Sequence, residues 1–133
     1  LGYTHDYSIY DTTDSKSVIK HIIKDFSLDD KIYKTSVVLA RISVAKNNLQ
    51  SPNLYAADRE YLVRDRFEKM QEMARVYAEY NRRLKAANAM DFDDILVNTY
   101  TLLNKFPEVA EKYQELFQYI LVDDSQIPNL LVS

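Results

Sequence analysis

Apolar positions along this chain recur mostly every three or four residues, the spacing of helices with one buried face. In "YDTTDSKSVIKHIIKDF", Val18, Ile19, Ile22, Ile23 and Phe26 form such a stripe, and Asp11, Thr12 and Thr13 are each placed to cap its start. Ser27 then offers a cap for a short helical turn over residues 28–32, with Asp30 three residues on as its capping-box partner. A third helix is predicted from Thr35, where Val38, Ile42, Ala45 and Leu49 share a face, and "NNLQSPN" ends it as a loop.

The longest periodic stretch covers residues 57–87. Val63, Phe67, Met70, Ala74, Tyr77 and Leu84 predict one amphipathic helix there, about 45 Å long at 1.5 Å per residue. A helix of that length projects from a body or bridges two parts of one. "AMDFDDILVNTYTLL" opens the next helix with Asp91 as N-cap, Asp94 at the N3 position, and Met90 and Ile95 placed for a hydrophobic staple. A metal site is the sharper reading of "DFDD", but no glycine turn or distal glutamate completes a calcium loop, so capping is better supported. Pro107 opens a last helix, with Val109, Ala110, Tyr113, Leu116 and Phe117 inward.

After Gln118 the period changes. "YILVD" is a continuous apolar, β-prone run, the pattern of a strand buried on both faces of a parallel sheet. The predicted fold is therefore mainly α: a helical bundle with one long helix over residues 1–118, then a single C-terminal strand and tail over 119–133. An isolated strand leaves backbone groups unpaired. The expectation is that this segment is disordered, packs on the helices, or pairs with a partner such as the "YSIY" region.

Composition excludes more than it proposes. The 133 residues are 47 % apolar and 28 % charged, ordinary for a globular domain, and no run is long enough to span a membrane. The opening "LGYTHDYSIYD" lacks the basic-then-apolar pattern of a signal peptide. Cysteine is absent, which removes disulfides and thiolate metal sites and fits a reducing, cytoplasmic setting. Gly2 is the only glycine, so this sequence contains neither a G-x-x-x-x-G-K-[ST] phosphate loop nor a dinucleotide fingerprint.

Charge is unevenly spread around a net −3. Residues 35–88 hold ten basic and six acidic side chains, whereas 89–133 hold two and eight. A basic middle suits phosphate contacts, with Arg41, Lys46, Arg82, Arg83 and Lys85 as candidates, although a mixed solvated helix surface accounts for the same counts. Tyr77 and Tyr80 are candidates for stacking on bases, with core packing the better-supported role for Tyr77. At the end of the predicted strand, Asp123 and Asp124 place two carboxylates where α/β nucleotide hydrolases hold magnesium, and Gln126 stands close by.

Taken together, "LGY…YSIYDTTDS", "MDFDDIL" and "FPEVAEKYQELFQYILVDDSQIPN", in that order and spacing, resemble the UvrD/Rep/PcrA family of superfamily 1 DNA helicases. The resemblance covers nearly the whole chain. It implies a helical subdomain, called 1B, inserted into a RecA-like motor domain and ending on the strand that bears motif II. It also implies a share in ATP-driven 3′-to-5′ movement on single-stranded or forked DNA, with the rest of the motor as partner. By the same resemblance Asp123 matches the magnesium aspartate, Asp124 stands in the place of the catalytic glutamate, and Gln126 and Asn129 match the motif.

Three positions depart from the family pattern. Asp124 is one methylene shorter than glutamate, losing roughly 1.5 Å of reach, where about 1 Å of misplacement costs around a hundredfold in rate. Ser125 is a minor departure. Ile127 stands where an acid is usual, and Pro128 follows it without a backbone N–H. Magnesium and ATP belong to the complete motor; alone, this chain is expected to hold neither and to hydrolyse nothing. The alternative reading is a non-enzymatic helical interaction module that keeps the family shape.

Overall fold

Six helices and two short strands occupy residues 7–105, which are the residues described by the structure, a computed structural model. They run β1 (Ser8–Tyr10), α1 (Thr12–Asp25), α2 (Thr35–Asn47), α3 (Pro52–Ala57), α4 (Arg59–Phe67), α5 (Met73–Ala86), β2 (Ala89–Asp91) and α6 (Phe92–Lys105). The chain divides into two compact units, Leu1–Val97 and Asn98–Ser133. Every element but the end of α6 belongs to the first. The helix predicted from Pro107, the strand predicted from Tyr119, and Asp123, Asp124 and Gln126 lie outside the described residues.

The apolar stripes of α1, α2 and α5 meet as the periodicity predicts. Ile19, Ile22 and Ile23 of α1, Val38, Ile42 and Ala45 of α2, and Met73, Val76, Tyr77, Tyr80 and Leu84 of α5 are all buried in one core. Each fully buried aliphatic side chain contributes about 1.5–3 kcal/mol relative to remaining exposed. Asp11 is the N-cap of α1 and closes a capping box: its Oδ1 accepts from the Asp14 N–H at 2.8 Å, and Asp14 Oδ2 accepts from the Asp11 N–H at 3.2 Å.

The predicted short turn is present over residues 29–33, where the Ile32 and Tyr33 N–H groups donate to the Asp29 carbonyl at 3.1 and 2.8 Å, but Ser27 does not cap it. Ser27 instead sits at φ 54, past the end of α1, where its N–H donates to the Lys24 carbonyl and the Leu28 N–H donates to that of Ile23. This is a Schellman closure, normally built on glycine. With no glycine available, the chain repeats it at Leu49 (φ 58) after α2 and Lys69 (φ 62) after α4, and Asn88 (φ 51) follows α5. Leu49 therefore leaves the predicted α2 stripe and stands about half exposed.

The single long helix over residues 57–87 is also corrected. It is two helices, α4 and α5, separated at Glu68–Glu72. Lys69 in the left-handed region reverses the chain, the Met70 N–H donates to the Asp65 carbonyl at 2.7 Å, and Met70 turns into the core. Val63 and Phe67, expected inward, are 62 % and 88 % exposed. The inner side of α4 is polar instead, built on buried Asp65 and half-buried Tyr61 and Arg64. Within "NNLQSPN" and the residues after it a further helix appears, α3, capped by the Ser51 hydroxyl and opened by Pro52 at its start.

A strand pair was not anticipated either. β1 and β2 pair in parallel with Ser8 opposite Ala89, Ile9 opposite Met90 and Tyr10 opposite Asp91. The "YSIY" strand thus has its partner in "AMD", which sequence alone assigns to a helix entry. The two strands run directly into α1 and α6, so the capped starts of those helices lie side by side.

Candidate functional site

Beneath that junction lies a buried ionic cluster. Asp91 caps α6, its Oδ1 accepting from the Asp94 N–H at 2.8 Å while Asp94 Oδ2 accepts from the Asp91 N–H at 3.3 Å, so the box predicted from "DFDD" is present. The other oxygens hold an ammonium. Lys46 Nζ, on α2, donates to Asp91 Oδ2 and Asp94 Oδ1, both at 2.8 Å. Tyr80 of α5 adds a donated hydrogen bond to Asp91 Oδ2 at 2.7 Å, and its hydroxyl lies 3.0 Å from Ser15 Oγ on α1. Ser43 donates to Asp93 at 2.9 Å. One cluster thereby ties α1, α2, α5 and β2 to the start of α6.

Its electrostatics follow from two carboxylates sharing one cation. Burial pushes Asp91 up, but the Lys46 charge and the hydrogen bonds from Lys46, Tyr80 and the Asp94 N–H outweigh it and hold Asp91 below the usual carboxylate range. Burial and the neighbouring Asp91 charge raise Asp94, with Lys46 opposing them. Burial likewise pushes the Tyr80 phenol up, so it stays a donor.

A second cluster fixes α4. Asp65 Oδ1 accepts from Arg41 Nη1 at 3.0 Å and from Arg64 Nε and Nη2 at 3.1 and 3.0 Å, and its Oδ2 accepts from the Tyr55 hydroxyl at 2.5 Å. Arg41 also pairs with Glu68. Tyr55 stacks on Tyr61 with centroids 4.7 Å apart and meets Tyr77 edge-on at 5.8 Å.

These clusters decide where the nominated cations sit. Lys46 is buried, and Arg41 is engaged with Asp65 and Glu68. Arg82 and Arg83 both bind Glu79, at 2.7 Å in each case, and Arg83 reaches Asp25 at 2.8 Å. Lys85 is exposed. The structure brings Arg82 and Arg83 together at Glu79 and keeps Lys46 apart in the interior. Tyr77 and Tyr80 are both buried, with rings in the core and hydroxyls bonded inward, which agrees with the core role favoured for Tyr77 and corrects the nomination of Tyr80 as a base-stacking surface.

Glu79 has a measurable consequence. Hydrogen bonds from Arg82 and Arg83 lower its carboxyl from 4.5 to about 2. A lowered folded-state value contributes stability above the unfolded value that is lost as pH falls through the folded one. The stability advantage of the native chain over Glu79→Gln is expected to be full at neutral pH and to vanish between pH 4.5 and about 2. Thermal unfolding of the two proteins across that range checks it.

Among the described residues no group of three His, Cys, Asp or Glu side chains is placed to hold a metal ion, and no helix is long and apolar enough to cross a membrane. Sequence reasoning missed the Lys46–Asp91 pairing; the available signal was a lysine amid the apolar face of α2.

Residues 1–130 match the family described as UvrD/REP helicase N-terminal domain. The chain is similar to ATP-dependent DNA helicase UvrD1 of Mycobacterium bovis, 38 % identical over 128 residues, which are 96 % of this chain and 16 % of that protein. It is similar to UvrD1 of Mycobacterium leprae at 39 % over 128 residues, again 96 % and 16 %. It is also similar to ATP-dependent DNA helicase PcrA of Staphylococcus aureus, 39 % identical over 129 residues, 97 % of this chain and 17 % of that one. The chain spans about a sixth of the length of the curated relatives it matches.

Proposed function

This chain belongs to the UvrD/REP helicase N-terminal domain family, and from that premise we propose that it is the DNA-handling helical part of an ATP-dependent DNA helicase. The observation that carries the proposal is the match across 130 residues to a helicase N-terminal domain. In this reading residues 1–118 form the helical subdomain and 119–133 the motif II strand and tail of a RecA-like motor. The β1–β2 pair is the joint at which the chain enters and leaves the helical body. Lys46 then serves structure, bracing the start of α6 on the route toward Asp123.

Asp123 is the proposed magnesium aspartate of the complete motor, with Asp124 in the catalytic position and Gln126 on the γ-phosphate side. Magnesium would supply charge neutralisation for the phosphates when bound there. This sequence has no glycine-rich phosphate loop, and Asp124 is short for its task. The 133-residue chain is therefore expected to show no magnesium-dependent ATP turnover in a phosphate-release assay. Turnover above background that disappears in Asp123→Ala would overturn this.

A second reading, a helical module that binds protein, draws on α4. Its exposed Val63 and Phe67 form an apolar surface that the described core leaves uncovered. A stable protein complex together with no DNA binding at low salt would favour it.

A further inference from the structure

The structure pairs four of the five cations that sequence nominates for DNA. It leaves a different set open. Lys20 and Lys24 of α1 and Lys34 at the start of α2 line one cleft of about 980 Å³, together with Ser17, His21 and Thr35. All three lysines are exposed, and none has a carboxylate partner among the described ion pairs.

The local architecture explains their availability. Ile19, Ile22 and Ile23 turn one side of α1 into the core, which leaves Lys16, Lys20 and Lys24 in a row on the other side. Positions four apart on a helix rise about 6 Å, so this row presents evenly spaced charges to solvent. α2 begins at the far side of the cleft without a side-chain cap and without an acidic residue in its first turn. Its first N–H groups therefore add donors and a partial positive charge to those of the lysines. The Ser17 and Thr35 hydroxyls supply neutral donors. Asp29 and Asp30 also line the cleft and keep their charge, Asp29 Oδ1 accepting from the Lys31 N–H at 2.9 Å, so the three lysines exceed the two carboxylates by one.

We infer that the cleft between α1 and the start of α2 is a nucleic-acid backbone site, in which Lys20, Lys24 and Lys34 hold successive phosphodiesters. This rests on the DNA-handling reading and deepens it by moving the contact from the Arg82–Lys85 face of α5 to α1. Recognition here is by charge and hydroxyl donors without base edges, so binding is independent of base sequence.

The test uses the 133-residue chain and a fluorescently labelled single-stranded oligonucleotide, with affinity followed by anisotropy over roughly 50–200 mM salt. Lys20→Gln, Lys24→Gln and Lys34→Gln combined are expected to weaken binding at least tenfold. The slope of log affinity against log salt should become shallower by about 2, from roughly 0.7 per lost single-strand phosphate contact. Circular dichroism of the exposed-site variant checks that it remains folded. The paired control, Arg82→Gln with Lys85→Gln, should bind within twofold of the native chain. Native binding with an unaffected cleft variant and a weakened α5 variant overturns this site but keeps the DNA-handling reading. No binding by the native chain at the lowest salt overturns both.

Discussion

Lys46→Met is expected to cost the fold about 3–5 kcal/mol at neutral pH, because it removes the cation that, among the described residues, bonds both buried Asp91 and half-buried Asp94. Methionine keeps most of the volume, so the loss isolates charge from packing. Asp91 has a side chain only 5 % exposed and cannot recover its hydration without opening the start of α6. The remaining Tyr80 and Asp94 N–H donors satisfy oxygen atoms but do not balance the charge. Domains of this kind have about 5–15 kcal/mol of stability in total, so a large fraction would be lost. The difference from the native chain should narrow in acid as the carboxylates of the variant protonate. Chemical unfolding at neutral and acidic pH measures both effects. A loss under about 1 kcal/mol at neutral pH would show that the cluster is not a buried ion pair in solution.

Asp65→Leu is expected to destabilise by about 2–3 kcal/mol, less than Lys46→Met, because Arg41 keeps Glu68 and Arg64 is about one-third exposed. The effect should also be local. Asp65 holds Arg41, Arg64 and Tyr55 around α4, whereas the apolar core lies chiefly among α1, α2, α3 and α5. Amide hydrogen exchange should accelerate in Arg59–Phe67 while α1 and α5 keep their protection. Unchanged exchange in α4 would contradict the assignment of Asp65 as its anchor.

What could be read from the sequence divides along the same line. α1, α2 and α5 are legible because each buries aliphatic or aromatic side chains at helical spacing, and periodicity measures that directly. α4 inverts the rule. Its inner side carries Asp65, made tolerable by the adjacent Arg64 and by Arg41 and Tyr55, which lie 24 and 10 positions earlier, while Val63 and Phe67 face outward. The break after it is equally hidden, since Lys69 adopts a turn conformation that glycine would have advertised. The capping box at Asp91 was legible as a local spacing, and the ammonium it also holds was not, because Lys46 lies 45 positions earlier. Cations were nominated for the DNA surface by sequence region. Availability depends on pairing, and pairing with Glu79, Asp65 and Asp91 is a property of the fold.

The role proposed for this helicase-family chain is DNA handling through charge, without ATP turnover. The most direct measurement is oligonucleotide affinity of the native 133-residue chain as salt rises from roughly 50 to 200 mM. Binding that weakens linearly on a log–log scale, equally for unrelated base sequences, is the predicted result. Absence of binding at the lowest salt, or an affinity indifferent to salt, would contradict it.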